Sequence, residues 1–154
     1  MQTMQPLRRI TRFSGSAFTR QLARREILDR GLSLKWWSEF QQDLPVYTVA
    51  AAGFVIPAGF MTDGASVPRA VWAVLASSDP DILYPAFAHD YLYAVWGKIP
   101  NGLTLTRQQC DETLRELMLA IGAPAWKTAL VYAAVRAGGQ AAWDRDDTKK
   151  LMFT

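Results

Sequence analysis

Short apolar clusters cut by turn-forming residues fill the first part of the chain, and longer clusters at helical spacing fill the rest. Ile27-Leu28, Leu32-Ser33-Leu34 and Trp36-Trp37 alternate imperfectly around Gly31 and read as a strand or hairpin. Asp43-Leu44-Pro45 reads as a turn, and Val46-Tyr47-Thr48-Val49 is rich in β-formers. Gly53 interrupts that strand, Phe54-Val55-Ile56 resumes it and Pro57 ends it. Together these segments predict a small antiparallel sheet of three or four strands. Residues 1–25 have no sustained apolar period and read as an arm, with a short helix near Ala17–Arg25.

From Ala58 to Pro68 the chain reads as a loop. Pro68 suits the first position of a helix over Arg69–Leu75, with Ser66 a nearby cap. Ser77-Ser78-Asp79-Pro80 separates this helix from the next, Asp81–Trp96, which carries Ile82, Leu83, Phe87, Tyr91 and Val95. Pro85 falls in its first turns and leaves Tyr84 as an alternative start. After a turn-rich Gly97–Thr104 connection, Thr106 is a plausible N-cap for a third helix, Arg107–Ile121. Its stripe is Cys110, Leu114, Leu117, Met118 and Ile121, and Gly122 stops it. Pro124 opens a fourth, Ala125–Ala137, with Trp126, Leu130, Ala133 and Ala134 on a face, and Gly138-Gly139 closes it. The tail from Trp143 to Thr154 docks as a strand or stays loose. A run of β followed by a run of α predicts an α+β fold: a small N-terminal sheet, then a bundle of three to four helices.

At 154 residues the chain is long enough for one domain with a real core. We divide it into a basic arm (1–25) and a single α+β domain (26–154), β-rich over 26–57 and helical over 58–154. The net charge of +3 is modest, but Arg8, Arg9, Arg12, Arg20, Arg24 and Arg25 concentrate it at the N-terminus. Such a segment can touch nucleic acid or anionic lipid. A solvated basic segment is the blander and weightier reading, and no specific nucleic-acid recognition is expected. One cysteine excludes an intramolecular disulfide and fits a reducing cytoplasm. No apolar run approaches the roughly 20 residues of a membrane span, and no apolar segment follows the N-terminal arginines as in a secretory signal.

The candidate chemistry centres on His89, the one histidine of the chain. With about 3.6 residues per turn, His89 and Tyr93 share a helix face while Asp90 points about 100° away. A lone histidine on an apolar helix is more often a satisfied core residue than a catalyst. Two features weigh against that: the adjacent carboxylate, and acidic residues on either side. If the second and third helices pack antiparallel, as their short connection favours, Asp111 reaches His89 and fixes its tautomer as a general base. Equally, an acidic residue in a first helical turn is explained by the helix dipole. Asp63, between Thr62 and Gly64, is either an ordinary turn residue or a ligand for a hard cation such as calcium, together with Asp90. One Cys and one His cannot make a zinc set, and the chain has no P-loop, no G-x-S-x-G elbow and no dinucleotide fingerprint. Ser66 could be activated only by His89, which makes a serine hydrolase a minor reading.

Two resemblances attach to these residues. Phe54-Val55-Ile56-Pro57-Ala58-Gly59-Phe60-Met61-Thr62-Asp63-Gly64-Ala65-Ser66-Val67-Pro68-Arg69, then Ala88-His89-Asp90-Tyr91-Leu92-Tyr93, then Thr106-Arg107 with Asp111, then Ala134-Val135-Arg136, resemble an uncharacterised family of small tailed-phage and prophage proteins over roughly residues 30–143. Over about residues 59–121 the core is similar to phospholipase A₂, especially its bacterial branch. That similarity implies a phospholipase A₂-like helical core, with His89 as the base that activates water, Asp111 as its orienting partner and Tyr93 in support of the dyad. It also implies calcium held by Asp63 and Asp90, with the Gly64 carbonyl added. The departures are that Cys110 has no disulfide partner and that the calcium loop lacks that family's richness in glycine.

These observations lead to a phage-encoded, calcium-dependent lipid-ester hydrolase acting on phospholipid of the host membrane. Trp72, Trp96 and the Phe54–Phe60 stretch are candidates for an apolar surface that admits a lipid chain. The rival is a non-enzymatic virion or tail assembly protein that binds other virion proteins and keeps the His/Asp cluster as a buried clamp. A peptidoglycan hydrolase has no motif here. Either way the protein is expected to be made in the host cytoplasm, and association with the virion is compatible with both. The enzyme predicts His89 against Asp111, Asp63 and Asp90 converging, and an opening to solvent. The scaffold predicts the same cluster sealed.

Overall fold

The computed structural model describes residues 19–31, 37–63, 66–75, 79–99 and 102–144. Strand β1 (Thr19–Gln21) pairs antiparallel with β2 (Ser38–Phe40), and β2 pairs antiparallel with β5 (Met61–Thr62), placing Ser38 opposite Thr62. Between them β3 (Leu44–Thr48) and β4 (Ala52–Ile56) form a separate hairpin in which Val46 faces Phe54 and Leu44 faces Ile56. Leu44, Val46 and Thr48 are buried and alternate with exposed Pro45 and Tyr47, the period of a half-buried strand. Phe54 and Ile56 bury the matching face of β4. The expected sheet is therefore present, divided into three-stranded and two-stranded parts.

The N-terminal expectations need correction. Most of the basic arm lies outside the described residues, but residues 19–25 do not form the helix expected near Ala17–Arg25. They supply β1 and the start of α1 (Arg24–Asp29). Pairing with β2 satisfies the β1 backbone, and Leu22 is buried with Ile27, Trp37 and Met61. Ile27-Leu28, read as strand, are helical: Glu26 accepts the Ala23 N–H at 3.0 Å at the helix start, and Ile27 alone of α1 is buried. Leu32-Ser33-Leu34 and Trp36 lie outside the described residues. Glu39 of β2 pairs with Arg30 at the end of α1 and with Arg20 of β1, which also pairs with Glu26 of α1.

The helices are α2 (Arg69–Val74), α3 (Pro80–Ala94), α4 (Arg107–Ala120), α5 (Ala125–Gly138) and α6 (Gln140–Asp144). α3 starts at Pro80, capped by the Asp79 side chain, and Pro85 lies inside it. Ile82, Phe87, Ala88, His89, Tyr91, Leu92 and Tyr93 are all buried, so α3 is enclosed on nearly every side. Phe54 stacks on Tyr91, with ring centroids 6.1 Å apart, and Phe60 meets Tyr91 edge-on at 5.3 Å. Both phenylalanines are thus core rings rather than part of a lipid-facing surface. Gly97, at φ +71°, lets the chain turn back: a Cβ there would lie 2.2 Å from the Leu105 carbonyl oxygen. This tight return sets the start of α4 beside the end of α3.

Thr106 caps α4 as expected, in a reciprocal pair with Gln109. Cys110, Leu114, Leu117 and Met118 are buried, and Cys110 is a free thiol whose pKa burial, then Asp111, pushes up to about 12. The buried face of α5 is Thr128, Val131 and Val135, whereas Trp126 and Leu130, read as part of one apolar face, are exposed. Lys127 reaches Asp79 at 2.8 Å and Asp81 at 2.9 Å, which fixes the rotation of α5 against the start of α3. Glu116 accepts the N–H groups of Val49 and Ala50 at 2.7 and 3.0 Å, docking the hairpin on α4. Of the tail, Trp143 and Asp144 belong to α6 and the rest lies outside the described residues. Among the described residues no helix is long and apolar enough to cross a membrane.

Candidate active site

His89 and Tyr93 stand one turn apart on α3, with ring centroids 4.2 Å apart, and both face Asp111 of α4. Asp111 is the fifth residue of its helix, beyond the first turn, and is fully buried, so a helix-dipole role does not account for it. Its Oδ1 meets His89 Nε2 at 2.7 Å and accepts the Tyr93 hydroxyl at 2.6 Å. Its Oδ2 accepts from Arg136 Nη1 at 2.7 Å and Arg107 Nη1 at 3.3 Å. Burial alone would raise the Asp111 pKa. The bonds from His89, Tyr93 and Arg136 outweigh it and hold the carboxyl below its ordinary range. Burial, then Asp111, pushes the Tyr93 phenol up, so it stays a donor.

This anion selects a tautomer. With Asp111 ionised, Nε2 of a neutral imidazole carries the proton, and Nδ1 is left with its lone pair. Nδ1 lies 3.0 Å from Ser66 Oγ, and the Ser66 side chain also bonds to Asp90. The Ser66 N–H donates to Asp90 Oδ1 at 3.1 Å, and the Thr62 hydroxyl donates to Asp90 Oδ2 at 2.5 Å. Asp90 therefore holds the loop that presents Ser66. Ser66 does not cap α2, whose start has no side-chain cap bond.

Burial, then the charge of Asp63, raises the Asp90 pKa, and the Thr62 and Ser66 bonds only partly offset it. Two carboxylates close enough to repel suit a hard cation, which takes oxygen ligands from carboxylates, carbonyls and water. The described residues hold no group of three or more His, Cys, Asp or Glu side chains placed for a metal, so calcium would need carbonyls and water as well. Gly64, the expected carbonyl donor, lies outside the described residues. The fit to calcium is that of a two-carboxylate pair, Asp63 and Asp90, with one of them already engaged by Thr62 and Ser66.

Residues 38–135 match the model of a family described as a protein of unknown function, DUF1353. The chain belongs to the DUF1353 family. No match was found among the curated proteins or the solved structures. The DUF1353 segment runs from β2 into α5 and contains Ser66, His89, Asp90, Tyr93, Arg107 and Asp111, while Arg136 falls one residue beyond it.

In this DUF1353 fold the sequence-derived residues His89, Tyr93 and Asp111 form one hydrogen-bonded cluster, and Asp63 and Asp90 lie close enough to interact. The cluster is closed: His89 and Asp111 are 0% exposed and Ser66 is 4% exposed. The opening to solvent predicted for an enzyme is not formed at His89. Sequence reasoning did not place Arg107 and Arg136 on Asp111. Arg107 stands one turn before Asp111, a spacing that could have signalled the pair. Arg136 stands in the Ala134-Val135-Arg136 motif but arrives from another helix, with no spacing that ties it to Asp111.

Arg107 also donates to the carbonyls of Val135 and Arg136 at 3.1 and 3.2 Å, binding the end of α5 to the cluster. Gly139 follows at that helix end, where a Cβ would lie 2.7 Å from the Tyr93 hydroxyl and 2.4 Å from the Val135 carbonyl oxygen. The glycine permits this close approach.

Proposed function

We propose that this DUF1353 protein is a phospholipase A₂-like hydrolase of lipid esters, with His89 as the general base. The observation that carries the reading is the Asp111–His89 bond, 2.7 Å from Oδ1 to Nε2, which turns the basic Nδ1 away from Asp111. A base needs that arrangement: one nitrogen anchored to a buried anion, the other directed at the proton to be taken. Asp111 stabilises the imidazolium that forms, and Tyr93 and Arg136 keep Asp111 ionised and in place. Asp63 and Asp90 would hold calcium, with the Gly64 carbonyl as the resemblance implies. A calcium ion bound there would polarise the ester carbonyl and stabilise the oxyanion.

In the closed arrangement Ser66 covers Nδ1, and a substrate that reaches His89 would have to displace it. The resemblance to tailed-phage proteins supports phospholipid of the host membrane as substrate. Fatty-acid release from phospholipid vesicles by the full chain, and its loss in His89→Gln, tests the reading.

One observation favours a second reading. The cluster is sealed, and Asp111 joins α3, α4 and α5 through His89, Arg107 and Arg136. That is how a structural clamp is built, and it suits a non-enzymatic virion or tail assembly protein whose partners are other virion proteins. On this reading His89→Gln lowers stability, and no ester is cleaved by the wild type.

A further inference from the structure

We infer that Ser66 is the nucleophile of this site and that hydrolysis passes through an acyl-serine. The inference rests on the hydrolase reading and replaces its attacking water. Ser66 Oγ occupies the position, 3.0 Å from Nδ1, that a water attacking directly would need. Oγ lies within hydrogen-bond reach of the ring nitrogen that Asp111 does not engage, and the Ser66 side chain also bonds to Asp90.

Three further features belong to a positioned nucleophile rather than an incidental hydroxyl. Asp90 bonds to both the Ser66 N–H, 3.1 Å from Oδ1, and the Ser66 side chain, which sets Oγ beside the imidazole. The hydroxyl has no capping duty, since α2 starts at Arg69 without a side-chain cap bond. The third member, Asp111, is a buried carboxylate with four donors on it, so its charge and orientation are set before any substrate arrives. Nucleophile, base and orienting acid are thus in hydrogen-bond sequence, which is how such a triad is recognised on any fold. The two ring nitrogens are exchanged relative to the usual Ser-His-Asp arrangement. The proton path is unchanged by that exchange.

The step balances without a cofactor. Ser66 Oγ bonds to the ester carbonyl carbon as its proton passes to His89 Nδ1. The carbon–oxygen bond to the alcohol breaks, and the alcohol leaves with the proton from Nδ1. Water then gives a proton to Nδ1 and bonds to the acyl carbon. The acyl–Oγ bond breaks, Ser66 recovers its proton from Nδ1, and the carboxylic acid is released.

The test combines labelling with turnover on the full chain. The protein is treated with a fluorophosphonate probe and weighed intact, and fatty-acid release is measured on phosphatidylglycerol–phosphatidylethanolamine vesicles. One adduct is expected, mapped to Ser66, absent in Ser66→Ala and strongly slowed in His89→Gln. Turnover in Ser66→Ala should fall on the order of 10³-fold or more, the scale of losing a triad nucleophile. Ser66→Cys, close to the native shape, should accumulate an acyl-thioester visible as added mass, which keeps the test valid if the alanine variant fails to fold. Folded Ser66→Ala or Ser66→Cys protein that hydrolyses within tenfold of wild type, without adduct or thioester, while His89→Gln is inactive, overturns the inference and leaves a water-using hydrolase. Wild-type protein that neither turns over nor takes the probe overturns both.

Discussion

Arg136 donates to Asp111 Oδ2 at 2.7 Å while His89 holds Oδ1 of the same carboxylate, also at 2.7 Å. One buried anion therefore anchors the His89 imidazole and joins α4 to α5. Removing its charge leaves Arg136, Arg107 and His89 without their common partner. Asp111→Asn should destabilise the fold by about 3–5 kcal/mol, the range for breaking a buried ion pair from one side. Urea unfolding of wild type and variant measures the difference.

The same carboxylate gives the fold an acid limit. Its pKa is depressed in the folded chain by His89, Tyr93 and Arg136 against the opposing effect of burial, and lies near 3.9 when unfolded, about the ordinary value. Its stabilisation is fully present above the unfolded pKa and is lost as pH falls through the lower, folded pKa. The stability gap between wild type and Asp111→Asn should be widest near neutrality and close steadily below about pH 4. A gap independent of pH would contradict this.

Asp90 carries the opposite sign. Burial and Asp63 raise its folded pKa, so its protonated form favours the fold, and that contribution fades as pH rises through the folded pKa. Asp90→Asn should gain stability relative to wild type between acid and neutral pH, as followed by thermal unfolding at a series of pH values. A parallel pair of curves would contradict the raised pKa.

If calcium sits between Asp63 and Asp90, it replaces their repulsion with attraction. Millimolar calcium should then raise the unfolding midpoint of the wild type. Stabilisation reaches about 2.7 kcal/mol when the ion is at a hundred times its dissociation constant. Asp63→Asn and Asp90→Asn should respond little. A wild-type midpoint unmoved by calcium removes the ion from the account but leaves the Asp111–His89 dyad untouched.

Gly139→Ala tests the packing behind the dyad. The added methyl would meet the Val135 carbonyl and the Tyr93 hydroxyl at less than 3.0 Å, and the backbone contact cannot be relieved by a rotamer change. A loss of about 1–3 kcal/mol is expected on unfolding, typical of overpacking. A shifted Tyr93 fluorescence or proton resonance should accompany it.

Much of the architecture was legible because it rests on local signals. Thr106 with Gln109, the glycine stop at Gly122, and the alternation of Leu44, Val46 and Thr48 each declare an element within a few residues. The brief strand β1 and helix α1 were misread because neither is set locally. β1 exists through pairing with β2, and Ile27 turns inward to meet Trp37 and Met61. The apolar face of α5 carrying Trp126 and Leu130 is not its buried face, because hydrophobicity alone does not reveal rotation. The Lys127 contacts with Asp79 and Asp81 accompany the observed rotation. His89, Tyr93 and Asp111 could be grouped from spacing and resemblance. Arg136 and the Ser66–His89 bond depend on how α5 and the β5–α2 segment pack, which no local pattern encodes.

The most direct test of the central claim is fatty-acid release from phospholipid vesicles by the full chain, with calcium and with a chelator, for wild type and His89→Ala. The account predicts release that requires calcium and disappears in the variant. Folded wild-type protein that releases nothing under either condition would contradict it and leave the Asp111–His89 pair as a clamp between helices.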